Sequence, residues 1–142
     1  MFSKKESKQL REQFWTSFGK SFPKKWMLYR TGLSGVVLKF HFDLEKALVS
    51  LEIERGTGKR EKSLWEKLVA LKSVLRSAYL PEAIYEVDHL LENHKTVSRI
   101  YVQKKGVCIH NKDTWMEVML FLKDHMSLME SFFVEYRDYL DT

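Results

Sequence analysis

The sequence predicts an α+β fold: an antiparallel sheet in the order helix, three strands, helix, two to three strands, long C-terminal helix. Three observations predict it. Apolar and polar residues alternate in two runs between Val36 and Glu54, the period of a β-hairpin with one covered face. Ser3–Phe22 and Lys59–Leu80 carry apolar residues at helical spacing, and prolines follow them at Pro23 and Pro81. Lys112–Leu140 contains neither proline nor glycine, so nothing interrupts a helix of roughly 40 Å at about 1.5 Å per residue. A chain of 142 residues has room for one core, and a single domain over residues 1–142 is expected.

In chain order, Leu10, Phe14, Trp15, Phe18 and Phe22 form the apolar stripe of the first helix. Trp26–Arg30 is a short strand candidate, and TGLSG from Thr31 to Gly35 turns it into the hairpin. Val36, Leu38, Phe40 and Phe42 share the core face with Ala47, Val49, Leu51 and Ile53, while the other face is mixed in charge. Pairing like with like places His41 near Glu52 and Lys39 near Glu54. The loop RGTGKRE, with Gly56 and Gly58, lacks the spacing of a phosphate-binding loop or a dinucleotide fingerprint and reads as a basic connection.

Leu64, Trp65, Leu68, Leu71, Val74, Leu75 and Ala78 line the second helix. Ala83–Leu91 and Thr96–Gln103 flank the turn ENHK as a second hairpin, and Val107–Ile109 can add a further short strand. Asn111 suits the N-cap of the last helix. That helix carries Trp115, Val118, Met119, Leu122, Met126, Met129, Phe133 and Tyr136, broadened by Met116, Phe121, Phe132 and Tyr139. This stripe is wider than a small sheet needs. Methionine-rich surfaces adapt to partners, which makes Met119, Met126, Met129 and Phe133 candidates for a self-association or protein-partner interface.

Composition narrows the function classes. No apolar run reaches the roughly 18 residues of a membrane span, and the start MFSKKESKQL lacks a signal-peptide core, so a cytoplasmic protein without membrane contact is expected. One cysteine, Cys108, can make neither an internal disulfide nor a cysteine-built metal site. The five histidines lack metal-ligand spacing, and no serine sits in a nucleophile elbow, so no metal or cofactor is expected. A net charge of +5 permits a nucleic-acid partner. Candidates for that contact are Lys59, Arg60 and Lys62 before the second helix, and Arg99, Tyr101, Lys104 and Lys105, where basic and aromatic side chains interleave. Asp43, Glu52 and Glu54 approximate the acid and acid-x-lysine pattern of a metal-dependent restriction-type nuclease. Glu54 stands where that pattern has lysine, so catalysis is the alternative reading and a non-catalytic interaction module the leading one.

QFWTSFGKSF, WMLYRTGLSGVVLKFHF, ALVSLEIERG, LWEKLVALKSVL, TVSRIYVQKKGVCIHNKDTW and FFVEYRDYL together resemble an uncharacterised bacterial family, domain of unknown function 4268, over nearly the whole chain. Its most specific parts here are FW, YRTG, SRIY, KGV and DTW. Members of that family occur as small stand-alone proteins, the kind expected here, or behind a domain that looks like a restriction-type nuclease. The resemblance implies an accessory or interaction module, tied to DNA or RNA transactions, and carries over no catalytic residues.

Overall fold

Hairpin β1 (Val36–Phe42) and β2 (Lys46–Glu54) is one half of a four-stranded antiparallel sheet. The second half is β3 (Ile84–Leu90) and β4 (Thr96–Lys105), and the strand order is β1-β2-β4-β3. Between the hairpins lie α2 (Lys59–Ala70) and α3 (Lys72–Ala78); α1 (Lys4–Ser21) precedes them and α4 (Trp115–Leu140) closes the chain after a 3-10 turn at Lys112–Thr114. This is an α+β fold, drawn from a computed structural model that describes residues 2–54 and 58–142. Gly56 of the basic connection lies outside the described residues.

The helices pack on one face of the sheet. Val36, Leu38 and Phe42 meet Ala47, Val49, Leu51, Ile53, Ile100 and Val102 beneath Phe14, Leu68, Leu75, Met126, Met129, Phe132 and Phe133 in a single contiguous core. Local chemistry sets the helix ends. Ser3 Oγ accepts from Glu6 N–H at 3.1 Å while Ser3 N–H donates to Glu6 Oε1 at 3.3 Å, a capping box that starts α1. Asn111 caps the 3-10 turn by accepting from Asp113 N–H at 3.1 Å. Behind it, Trp115 Nε1 donates to Ile109 O at 2.9 Å, and Thr114 Oγ1 donates to Cys108 O at 3.0 Å. The DTW opening of the last helix thereby ties down the segment before it.

Four details depart from the sequence reading. The hairpin register pairs His41 with Leu48 and Lys39 with Ser50, not His41 with Glu52 or Lys39 with Glu54. Asp43 sets it, because its Oδ1 accepts from Glu45 N–H at 2.8 Å and Lys46 N–H at 2.9 Å and closes a tight turn. Trp26–Arg30 is not a strand: Leu28 O accepts one bond from Leu38 N–H, but Met27 N–H turns away to Glu130 Oε2 on α4 at 2.6 Å. The expected second helix is broken at Leu71, whose N–H is shared among the carbonyls of Lys67, Leu68 and Val69. Val107–Ile109 makes one bond to the turn, Ile109 N–H to Asp43 O at 3.0 Å, and is not a strand.

Glu130 and Arg137 of α4 clamp the 22–35 segment against the sheet edge. Glu130 also pairs with Lys24 at 3.2 Å, and Arg137 Nη1 donates to Thr31 O at 3.0 Å. Thr31 Oγ1 donates to Val36 O at 2.8 Å, and Gly32 adopts φ +84 with the Arg137 side chain 3.6 Å from where a Cβ would stand. The YRTG and EYRDYL motifs are therefore two halves of one contact.

Tyr85 joins β3 to α2: its hydroxyl donates to Leu68 O at 3.1 Å and its ring lies against Trp65. Burial pushes the phenol up to about 12, with Arg76 pulling weakly the other way. The unfolded phenol ionises near pH 10. Stability should therefore be unaffected by this group below about pH 10 and lost as pH rises from there through about 12. Urea midpoints across that window should fall more steeply for the wild type than for Tyr85→Phe; parallel curves would contradict the assignment.

Candidate interaction surfaces

Two surfaces remain after the core is built: the sheet face opposite the helices and the outer side of α4. The first is covered by its own side chains. Along β2 every residue from Ala47 to Ile53 is buried, including Leu48, Ser50 and Glu52, which point away from the helices. Lys39, Arg99, Tyr101 and Gln103 are partly buried on the flanking strands, positioned to cover them. Lys39 Nζ stands 2.9 Å from Glu52 Oε1 as an ion pair, while Ser50 Oγ donates to Oε2 at 3.2 Å. Burial lowers the Lys39 pKa, but the hydrogen-bonding and charge effects of Glu52, with those of Tyr29 and Glu54, raise it overall. Arg99 Nε donates to Glu86 Oε1 at 2.7 Å and its guanidinium lies 4.3 Å from the Tyr101 ring centroid. Burial pushes Glu86 up, yet Arg99 and His89 hold it below the ordinary carboxylate value.

A groove of about 580 Å³ opens over this ladder of charges, walled on the far side by His89–Asn93 of the second hairpin. It meets a second groove at Phe40, His41, Asp43 and Glu92 that reaches Arg11 and Trp15 of α1. His41 Nε2 is 2.7 Å from Asp43 Oδ2. Burial raises the Asp43 carboxyl, but His41 and the two turn amides outweigh it and hold the group below its usual range.

The nuclease triad is not assembled. Asp43 sits in the turn beside Lys46, and Glu52 lies six residues farther along β2, about 20 Å at about 3.3 Å per residue. Glu54 is two residues beyond that, exposed at the strand end. Among the described residues, no three His, Cys, Asp or Glu side chains form a group that could hold a metal ion.

The nucleic-acid candidates scatter. Arg60 pairs with Asp141 at 3.3 Å at the end of α4, whereas Lys59 and Lys62 are exposed at the start of α2. Arg99 and Tyr101 lie on the helix-free face, with Arg99 bound to Glu86. Lys104 reaches Glu117 of α4 at 3.3 Å, and Lys105 stands across from Lys46. Half of these six cations, Arg60, Arg99 and Lys104, already have a carboxylate, and the other three do not gather at one place, which leaves no concentrated positive charge for phosphate.

The proposed methionine interface is interior. Met119 is 5% exposed and Met126, Met129 and Phe133 are 0% exposed, because α1, α2 and α3 widen the covered face beyond the sheet. The outer side of α4 is instead Met116, Leu120, Leu128, Val134 and Tyr139, exposed by 39–63%, with Glu117, Asp124, Glu135 and Asp138 among them. Met116 and Tyr139 stood at the margin of the sequence stripe. Leu120, Leu128 and Val134 lay off it; Leu120 is four residues from Met116 and eight from Leu128, a spacing that could have flagged a second apolar face.

No helix among the described residues is long and apolar enough to cross a membrane. Neither the curated proteins nor the solved structures yield a match to this chain. The family described as Domain of unknown function (DUF4268) matches residues 10–137, a span that runs from α1 to the last turn of α4, and the chain belongs to that family.

Proposed function

We propose that this chain is a non-catalytic interaction module that docks a protein partner along the outer side of α4. The observation that carries the reading is the five large apolar side chains exposed on one 26-residue helix whose inner side is already fully used by the core. Apolar residues scattered singly over a surface need no explanation; several aligned on one rigid element mark contact surface. Less supports the nuclease alternative, because Asp43 lies in the turn between the strands while Glu52 and Glu54 lie toward the far end of β2.

The test is a selection of random peptides on the immobilised chain, followed by binding of the selected sequences to a Leu120→Ser/Val134→Ser variant. Both positions are exposed, so the variant should keep the wild-type melting temperature. Selected peptides should lose roughly tenfold or more in affinity for it. Peptides indifferent to the change would sink the α4 reading. Labelled single- and double-stranded oligonucleotides provide the counter-test: binding that falls steeply with salt and with charge reversal at Lys59 and Lys62 would put nucleic acid in the partner's place.

A further inference from the structure

Resting on that reading, we propose that the partner presents a basic amphipathic helix to α4. Its charge, row geometry and polar satisfaction all favour such an occupant. The helix carries five carboxylates and two cations in a chain whose net charge is +5. Glu130 is turned inward to Met27 and Lys24, Glu117 pairs with Lys104 and Asp124 with Lys123, so the uncompensated acid of the outer side is Glu135 and Asp138. Of the two cations, Arg137 is committed inward to Thr31 O, and Lys123 is neutralised by Asp124 at 3.0 Å. Glu135 and Asp138 are exposed and have no ion-pair partner among the described residues.

This pattern disfavours a second copy packed symmetrically, α4 on α4, because carboxylate would then meet carboxylate. A partner that brings lysine or arginine beside leucine-like residues satisfies both features at once.

The exposed residues also fall in helix-packing rows. Met116, Leu120, Asp124 and Leu128 form one i, i+4 ridge, and Ser127, Ser131, Glu135 and Tyr139 form another. Such ridges fit the grooves of a second helix, and the two serines of the second ridge permit close approach. Their hydroxyls are already satisfied within α4: Ser127 Oγ donates to Lys123 O at 2.8 Å and Ser131 Oγ to Ser127 O at 2.9 Å. Covering them costs little, since no polar group loses its only partner.

The probe is a labelled synthetic peptide of about 20 residues, long enough to be helical, with leucines at i, i+3, i+4 and i+7 spacing and lysines on the remaining positions. A twin keeps the leucines and replaces every lysine by glutamate. Fluorescence anisotropy with the intact chain should show the lysine peptide binding at least roughly tenfold more tightly than its twin, and weakening severalfold between about 50 and about 200 mM salt. Glu135→Lys/Asp138→Lys should reverse the preference, whereas Glu12→Lys on α1 should leave it unchanged. Equal affinity for both peptides, lost in Leu120→Ser/Val134→Ser, would overturn the basic-partner inference and leave the α4 docking surface standing. A lysine peptide that does not bind, while selected peptides still depend on Leu120 and Val134, would do the same. Lysine-peptide binding insensitive to every α4 substitution would overturn both.

Discussion

Lys39→Met should destabilise the chain by about 3 kcal/mol, the largest loss expected from any substitution on the helix-free face. Glu52 is 4% exposed, in the middle of a strand, and Lys39 supplies its nearest positive charge at 2.9 Å. Removing one member of a buried ion pair strands the other without compensation, which costs about 3–5 kcal/mol. The low end applies because Ser50 still donates to Oε2 and the Lys39 side chain is itself 29% exposed. Methionine keeps the length of the aliphatic stem, so packing over Ser50 and Leu48 changes little. One control separates charge from packing. Lys39→Met/Glu52→Leu should recover about half or more of the loss, since no charge is left unpaired and only the Ser50 hydroxyl, which donates to Oε2 in the wild type, loses its partner. Urea midpoints check both. A single variant as stable as wild type would show that Glu52 finds its charge balance elsewhere, Arg99 on the adjacent strand being the neighbour to test next.

What was legible in the sequence follows from the range over which each feature is determined. The α+β class, the alternating core face of the first hairpin, the second hairpin around its polar turn and the long last helix are all set by local periodicity. The structure has each of them. The hairpin register is also local, but it lies in Asp43 and not in the match of like with like: the Asp43 side chain dictates a tight turn at Phe42–Ala47. Other features were not local at all. Trp26–Arg30 has a strand-like composition, yet the Met27 amide is claimed by Glu130, 103 residues later, and no windowed pattern contains both. The break at Leu71 carries no proline or glycine to announce it.

The same distinction explains the candidate surfaces. An apolar residue on a helix is core or contact according to what else covers it, and that depends on where the other helices dock. Met126, Met129 and Phe133 sit under the helical layer and are fully enclosed, whereas Leu120 and Val134, chemically no different, face solvent. Likewise Asp43, Glu52 and Glu54 read as an acidic group only while their register is unknown. Placed on the sheet, one caps a turn, one balances Lys39 and one ends a strand. Motif chemistry at this level is a statement about pairing, and pairing is what the turn fixed.

Phe14→Ala should cost about 3–5 kcal/mol, the range for emptying a fully buried aromatic site. The ring is 0% exposed and is where α1, the sheet and α4 converge: its centroid lies 4.7 Å from Phe42, 5.3 Å from Trp115 and 4.9 Å from Trp15, each edge to face. Area burial and aromatic geometry are lost together, and the three surrounding rings belong to different elements, so they cannot all move inward to fill the space. Phe14→Leu should cost less, about 1–2 kcal/mol, because much of the volume remains while the edge-to-face contacts go. Hydrogen exchange should localise the damage. If α1 is held mainly by Phe14 and Phe18, amides of α1 should exchange faster by a larger factor than those of β2 and α4, whose own core contacts persist. Uniform acceleration across the chain would instead mean that α1 and the sheet unfold as one unit. In that case Phe14 belongs to the common core and not to a separable clasp, and a partner bound on α4 would stabilise α1 as strongly as it stabilises the helix it touches.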